Sequence, residues 1–452
     1  MTASPQDLTR RDFLAGGSLA TFMGLLGGVE LVAQPEEAAK DEAPPTPANK
    51  VKCAVIGCGV WGREIVSTLS RIPTAQVVAL CDKYPAYLKR AARLAPEAKP
   101  IEDYRKILED QDIPVVIVAT PSHLHKPVAL EALQAGKHVY CEAPLATTLE
   151  DAKAIALAAK HSPKLHFQTG LHFRSDPQRP FVLNFIRSGA TGKTIMARSQ
   201  WHKKQSWRFT APDPEREKEI NWRLDPQTSL GLVGEIGIHQ IDSASWFLGA
   251  RPTAVTGFGS LMLWNDGRVV PDTIQTLFEY PDGVRFQHDC TLANSFDSDY
   301  EAYYGSDAAI LIRGSKAWMF KEVDAPALGW EVYARKETFY KETGIALMVG
   351  ASKQQALTEE PAQDAAKPTA LQHALTNFLR NANDLSSAAE DFTTNFGSDD
   401  PKALLEHLAT VPRQPHAGYR EGFEAAVMAL KAHEAIATGR RIELKPEWFE
   451  LA

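Results

Sequence analysis

The apolar run Val51-Lys52-Cys53-Ala54-Val55-Ile56 passes directly into Gly57-Cys58-Gly59-Val60-Trp61-Gly62, and Arg63 to Leu69 then takes up helical character. Nothing else in the chain constrains its fold as tightly. A strand that enters a helix through G-x-G-x-x-G opens a nucleotide-binding βαβ unit. Gly57 makes the tight turn, Gly59 lets a pyrophosphate approach the backbone, and Gly62 lets helix and strand pack closely. Unpaired N–H groups at the helix start point at the phosphate. Cys58, Val60 and Trp61 complete the cofactor-binding loop.

The β-α alternation continues. Gln76–Cys81 reads as a second strand ending in Asp82, twenty residues past Gly62, near the ~20-residue offset of a ribose-binding acid. A carboxylate there bonds a ribose hydroxyl and repels a 2′-phosphate, which favours NAD; the adjoining Lys83 keeps NADP open. Asp82 also reads as a solvated turn residue. Pro114–Ala119 is a buried strand ending at Thr120-Pro121, and His123 and His125 lead into a helix over 126–135. Gly136-Lys137-His138 stops that helix, and the strand His138–Cys141 leads into Glu142-Ala143-Pro144. The alternation over 51–170 predicts an α/β doubly wound parallel sheet. Gly57, Asp82, Thr120 and Glu142 all fall at strand ends, where such sheets bind ligands.

Beyond this region the pattern changes. Segments 194–203, 253–264, 274–294 and 301–320 have strand character, and Tyr280-Pro281-Asp282-Gly283 reads as a hairpin turn. They predict a large open, mainly antiparallel sheet in a C-terminal α/β domain. The domain reading is a Rossmann domain over 51–170, a substrate and oligomerisation domain over 171–350, a mobile linker over 351–370 and a helical extension over 371–452 that packs on the core, with a helix over 418–437. Ahead of these, Thr9-Arg10-Arg11-Asp12-Phe13-Leu14 and the weak apolar run that follows resemble a twin-arginine export signal over 1–33. A disordered tail with two chance arginines is the alternative. Residues 34–50 read as a linker. Export in folded form implies a periplasmic or extracytoplasmic protein that meets the twin-arginine translocase in transit.

Composition excludes several classes. The net charge of −7 comes with no basic block, which argues against a nucleic-acid partner. The run Ala15–Ala33 is too weak for a stable membrane span. The five cysteines have no metal-ligand spacing, and no metal site is expected.

Four segments together resemble the Gfo/Idh/MocA family, named for glucose–fructose oxidoreductase, inositol dehydrogenase and a rhizopine-catabolism protein. They are the glycine loop with Asp82, Ala119-Thr120-Pro121-Ser122-x-x-His125, Ala135-Gly136-Lys137-His138-Val139-x-Cys141-Glu142-x-Pro144, and Gly237-x-His239-x-x-Asp242. The resemblance covers roughly 50–320. It implies a sugar- or polyol-active homo-oligomeric oxidoreductase. Cofactor contacts would come from Gly57, Gly59, Gly62, Asp82, Thr120, Pro121, His125 and Glu142. His239 and Asp242 would be catalytic or substrate-orienting. Two positions depart from the family pattern. Ala143 stands where the family carries a proton-relaying lysine, and Glu235 stands where many members have aspartate.

On a helix, i, i+3 spacing places His239 and Asp242 on one face. His239 could take a hydroxyl proton as hydride leaves the same carbon, with Asp242 orienting the imidazole or bonding a sugar hydroxyl. Arg174, Trp222 and Arg223 are candidate substrate contacts, since indole faces stack on sugar rings and guanidinium groups bond hydroxyls. Three functions follow: a nicotinamide-dependent oxidoreductase with a tightly held cofactor, a redox-neutral glycoside hydrolase or lyase using the same cofactor transiently, and a non-catalytic nucleotide-holding protein.

Overall fold

A computed structural model describes residues 50–331, 334, 336–339, 342–347, 368–397 and 400–452. The export signal, nearly all of the 34–50 linker and most of the 351–370 linker lie outside the described residues.

The first sheet follows from strands with no polar face. β1 (Val51–Ile56), β2 (Ala75–Cys81), β3 (Lys99–Ile101), β4 (Val115–Val118), β5 (His138–Cys141) and β6 (Phe167–Thr169) lie in the order β3-β2-β1-β4-β5-β6, and every pair is parallel. β4 and β5 are buried along their whole length, as strands covered on both faces must be. The connecting helices are α1 (Val60–Leu69), α2 (Pro85–Ala91), α3 (Arg105–Glu109), α4 (His125–Gln134) and α5 (Leu149–Lys160). The order reverses between β1 and β4, and this is where an open α/β sheet has its ligand crevice.

Downstream come α6 (Gln178–Arg187), β7 (Thr194–His202), α7 (Pro214–Ile220), a π-helical turn at Val233–Gly237, and α8 (Ile238–Leu248). The second sheet adds β8 (Ala254–Ser260), β9 (Thr273–Glu279), β10 (Arg285–Thr291), β11 (Asp299–Gly305), β12 (Ala308–Arg313), β13 (Lys316–Lys321), β14 (Lys336–Phe339), β15 (Glu342–Leu347) and, after three helices, β16 (Ile442–Glu443). Its order is β14-β15-β13-β12-β11-β7-β10-β9-β8-β16. The β9–β10 hairpin closes at the expected turn, with Asp282 at φ 59°. Alternation along β9 and β12 buries every second side chain, the signature of a sheet covered on one face.

The three late helices are α9 (Ala370–Phe396), α10 (Pro401–Thr410) and α11 (Tyr419–Thr438). α9 places Leu371, Leu375, Phe378 and Leu379 in the same apolar cluster as Val55, Ile65, Leu80 and Ile117, and the Phe378 ring meets Tyr140 edge-on at 5.5 Å. The helix starts where the Thr369 hydroxyl accepts the Gln372 N–H, an N-cap satisfying one otherwise orphaned donor.

The chain falls into two compact units. One holds the described residues of 177–196 and 302–366, in which Phe185 packs edge-on against Trp330 at 5.2 Å. The other holds 49–176, 197–301 and 367–452, and with them every candidate site residue.

Candidate active site

The three glycines of the first loop perform different tasks. Gly57 has φ +100°, and a Cβ there would lie 2.4 Å from the Ala119 carbonyl oxygen. A Cβ on Gly62 would lie 1.8 Å from the Gly57 oxygen. Both positions exclude a side chain because backbone passes too close. At Gly59 a Cβ meets nothing within 4 Å, and no side chain caps α1 there. The start of α1 therefore presents free N–H groups to open space, which fits the diphosphate of a dinucleotide. Val60 and Trp61 are exposed beside it.

Asp82 is fixed by the same loop. Its Oδ2 accepts the Cys58 N–H at 2.8 Å and its Oδ1 the Tyr84 N–H at 2.8 Å. Burial pushes its carboxyl up against the pull of these two donors. Lys83, the residue that left NADP open, is ion-paired with Glu219 of α7 at 2.7 Å. Glu219 also accepts the Tyr84 hydroxyl, and the Arg216 guanidinium lies 4.6 Å over the Tyr84 ring. Sequence reading missed this arm: α7 buries none of its residues, so it leaves no apolar periodicity, and its one trace is the Asp213-Pro214 helix start.

At the ends of β4 and β5 the loops close on each other. The Thr120 hydroxyl oxygen is buried without a hydrogen-bond partner, and Pro121 precedes a 3₁₀ turn over Ser122–Leu124. The His125 ring nitrogens lie 2.9 Å from the Thr120 and Pro144 carbonyl oxygens. Burial pushes this imidazole down to about 4, so it is neutral and carries one N–H for two acceptors. His125, expected at the cofactor, joins the two loops.

Glu142 is enclosed at the end of β5. The Trp61 indole and the Ala143 N–H favour its charged form. A Cβ on Gly170 would lie 2.3 Å from its Oε2, so the residue that follows β6 must be glycine for this side chain to fit. Its Oε1 is buried with no hydrogen-bond partner. Burial pushes the carboxyl up to about 7, against Trp61, the Ala143 N–H and the nearby Arg223 charge.

The remaining groups come from the π-turn, α8 and the segments facing them. Glu235 is buried; it accepts the Ser122 hydroxyl at 3.0 Å and the Ser229 hydroxyl at 3.3 Å, with Arg223 Nε at 3.8 Å. The Arg223 guanidinium lies 4.4 Å over the Trp222 ring and 5.9 Å from that of Trp207. Trp222 is in turn 6.0 Å from His123. Trp207 was not anticipated, because a lone tryptophan in a polar stretch carries no spacing signal.

One turn after Glu235, the His239 ring lies 4.5 Å from that of His172 and 5.9 Å from that of Phe173. Its Nδ1 has no hydrogen-bond partner. Burial, then the neighbouring His172, hold it well below the ordinary histidine range. Asp242 does not orient this imidazole. Its two oxygens accept from Arg174 Nε at 2.9 Å and Nη2 at 2.8 Å, a bidentate fork. Arg174 lies 5.1 Å over the Trp246 ring. These two, read as an orienting acid and a substrate contact, are engaged by one another.

A cavity of about 410 Å³ opens beside α7, lined by Arg208, Glu217, Lys218, Asn221 and Arg268 among others. It contains none of the residues anticipated for catalysis. Among the described residues no cluster of histidine, cysteine and carboxylate side chains could hold a metal ion, and no helix is long and apolar enough to cross a membrane.

Residues 51–170 match the family model described as an oxidoreductase family, NAD-binding Rossmann fold. Residues 182–320 match its companion, the GFO/IDH/MocA C-terminal domain. The chain is 34% identical over 179 residues to levoglucosan dehydrogenase of Pseudarthrobacter phenanthrenivorans, covering 39% of this chain and 43% of that protein. It is 30% identical over 203 residues to inositol 2-dehydrogenase of Salmonella typhimurium, covering 44% and 54%. The matched segments thus span about half the length of these two relatives. A solved structure of levoglucosan dehydrogenase in complex with NADH and levoglucosan superposes with a TM-score of 0.65 at 21% identity, over 88% of this chain and all of that one; the fold is shared.

Proposed function

The chain belongs to the Gfo/Idh/MocA family, and from that premise we propose that it is a nicotinamide-dependent oxidoreductase acting on a sugar or cyclic polyol. The observation that carries this reading is the open approach at Gly59 beside a fixed Asp82, at the reversal point of the parallel sheet. Gly57, Gly59, Gly62 and the start of α1 would hold the diphosphate, Asp82 the adenosine ribose, and Thr120 and Glu142 the nicotinamide half. NAD, once bound, supplies a hydride acceptor. The relatives' names, levoglucosan dehydrogenase and inositol 2-dehydrogenase, suggest the substrate class.

Trp222 and Arg223 form an aromatic–cationic wall suited to a polyhydroxylated ring. A neutral His239 accepts a hydrogen bond from a substrate hydroxyl and orients it. An imidazole held so far below its usual range is a poor resting place for a proton at neutral pH. Ser122 and Ser229 fix Glu235, and Arg174 fixes Asp242, so both carboxylates build the walls of the site.

Ala143 favours a second reading. With no lysine after Glu142, the same cofactor could serve a redox-neutral hydrolase or lyase, in which oxidation at one carbon acidifies the neighbouring C–H, the glycosidic group is eliminated, water adds and the hydride returns. We further propose export by the twin-arginine route on the strength of Arg10-Arg11, a retained cofactor in that compartment, and a homo-oligomeric assembly. The test uses protein purified without added nucleotide. Nicotinamide nucleotide released on denaturation in near-equal amount to protein supports the cofactor reading. Sugar-dependent NADH formation then supports the dehydrogenase, whereas aglycone release from an aryl glycoside without net reduction supports the second reading. Protein that neither retains nor binds a nicotinamide nucleotide overturns both.

A further inference from the structure

We propose that Glu142 takes up the proton released when a substrate hydroxyl is oxidised in this site. The inference rests on the dehydrogenase reading above and names the proton acceptor that Ala143 cannot be.

The argument is one of elimination among the acidic and basic groups of the site. Asp242 has both oxygens in the Arg174 fork. Glu235 has one serine hydroxyl on each oxygen and Arg223 beside it. His239 is enclosed against His172, and each charge would repel the other. His125 faces two carbonyl oxygens. Arginine does not deprotonate. Glu142 alone combines enclosure at a strand end of the ligand crevice with a carboxylate oxygen, Oε1, that no protein group binds. Gly170 clears the space beside its other oxygen.

The surroundings fit a group that changes charge. On its own strand, Tyr140 is held well above its usual range and Cys141 is pushed up, both chiefly by burial, so neither adds a charge at neutral pH. From α1 the Trp61 indole favours the charged form, and the residue that follows β6, Gly170, contributes only backbone. Among the described residues Arg223 is the cation that acts on it, and it is shared with Glu235. Enclosure favours the neutral acid; the Trp61 indole, the Ala143 N–H and, least, the Arg223 charge favour the carboxylate, and the carboxyl stands raised to about 7. In the step itself, the hydroxyl O–H bond breaks and its proton goes to Oε1. The carbon gives up hydride, with its two electrons, to the oxidised nicotinamide, and the C–O bond becomes a carbonyl. Glu142 leaves the step as a neutral acid and returns its proton to solvent.

The test uses the full chain as wild type, Glu142→Gln, Glu142→Asp and Arg223→Gln. Difference infrared spectra, taken without sugar, should show a protonated-carboxyl band in wild type that vanishes with a midpoint near 7. The band should be missing in Glu142→Gln, and its midpoint should move up in Arg223→Gln. With levoglucosan and myo-inositol as probes at saturating nucleotide, kcat of Glu142→Gln should fall by ~10²–10⁴-fold, with part of the rate restored in Glu142→Asp. An unchanged band in Glu142→Gln, or an unchanged kcat in that variant, overturns the proposal. Wild type that fails to bind NADH, read by nucleotide fluorescence, overturns the dehydrogenase reading while the titration still reports on Glu142.

Discussion

The edge of the parallel sheet and the stretch from the π-turn through α8 build their parts of the site by opposite means. At the sheet edge the backbone does the work. Carbonyl oxygens crowd Gly57 and Gly62, open space lies beside Gly59, and Asp82 is held by two main-chain N–H groups. Along the π-turn and α8 the groups are side chains, and they are held by other side chains: Glu235 by two serines, Asp242 by Arg174, His239 against His172. Backbone geometry imposes a residue type at a fixed spacing. Side-chain partnership imposes only that some partner be present, from anywhere in the chain.

The largest effect should come from breaking a partnership. Asp242→Ala leaves the Arg174 guanidinium without its carboxylate in a largely buried position, and should cost about 3–5 kcal/mol in urea unfolding. Replacing both residues by apolar ones should recover most of that loss; if it does not, the pair contributes more than mutual neutralisation.

Glu142 gives a pH signature nearly as large. Its folded carboxyl is raised from 4.5 to about 7, so the neutral form is favoured on folding. That stability is fully present below 4.5 and is lost as pH rises through about 7, amounting to about 3 kcal/mol at 1.36 kcal/mol per unit. Denaturation midpoints measured between pH 4 and 8 should fall more steeply in wild type than in Glu142→Gln.

The glycines then sharpen the comparison from the backbone side. Gly62→Ala should destabilise by about 3 kcal/mol, because its Cβ meets a carbonyl oxygen. Gly59→Ala should leave stability within about 0.5 kcal/mol, since nothing lies near that Cβ and φ is −61°, yet weaken NADH binding in a fluorescence titration. Equal destabilisation by both would mean that Gly59 has a packing role. The smallest effect belongs to Glu219→Gln. It removes an exposed pair with Lys83, and should cost below about 1 kcal/mol and shrink further in high salt.

This contrast also explains what the sequence made legible. The parallel sheet and the close backbone approach at Gly57 and Gly62 were readable because spacing and cause coincide there. Strands β7 to β13 fall within the segments read as strands or overrun them by at most two residues, and the helix over 419–438 lies one residue from its expected bounds. The π-turn at 233–237 was not readable, since it differs from an α-helix by one residue of hydrogen-bond register. The Arg174–Asp242 fork joins residues far apart in the chain, and nothing in either neighbourhood announces the other. The assignment of Asp242 to His239 rested on i, i+3 proximity, and a charged partner across the interior outcompeted it. The 27-residue α9 was read only as part of a helical extension, although its apolar stripe completes the core of the first sheet.

All five cysteines are free and buried, and burial pushes those at 53, 58 and 81 up to about 12. Only a thiolate attacks a disulfide or a peroxide at useful speed, and at neutral pH these sulfurs are almost entirely in the thiol form. Folding therefore passivates them: once the sheets have closed, the chain can meet an oxidising milieu without acquiring a bridge or a sulfenic acid. The one vulnerable interval is before closure, when Cys53 and Cys81 still lie on open strands and Cys58 on an open loop. Mass-tagged maleimide should label them during refolding and leave them untouched afterwards, so that sulfur chemistry becomes a clock for when the nucleotide-binding core is sealed.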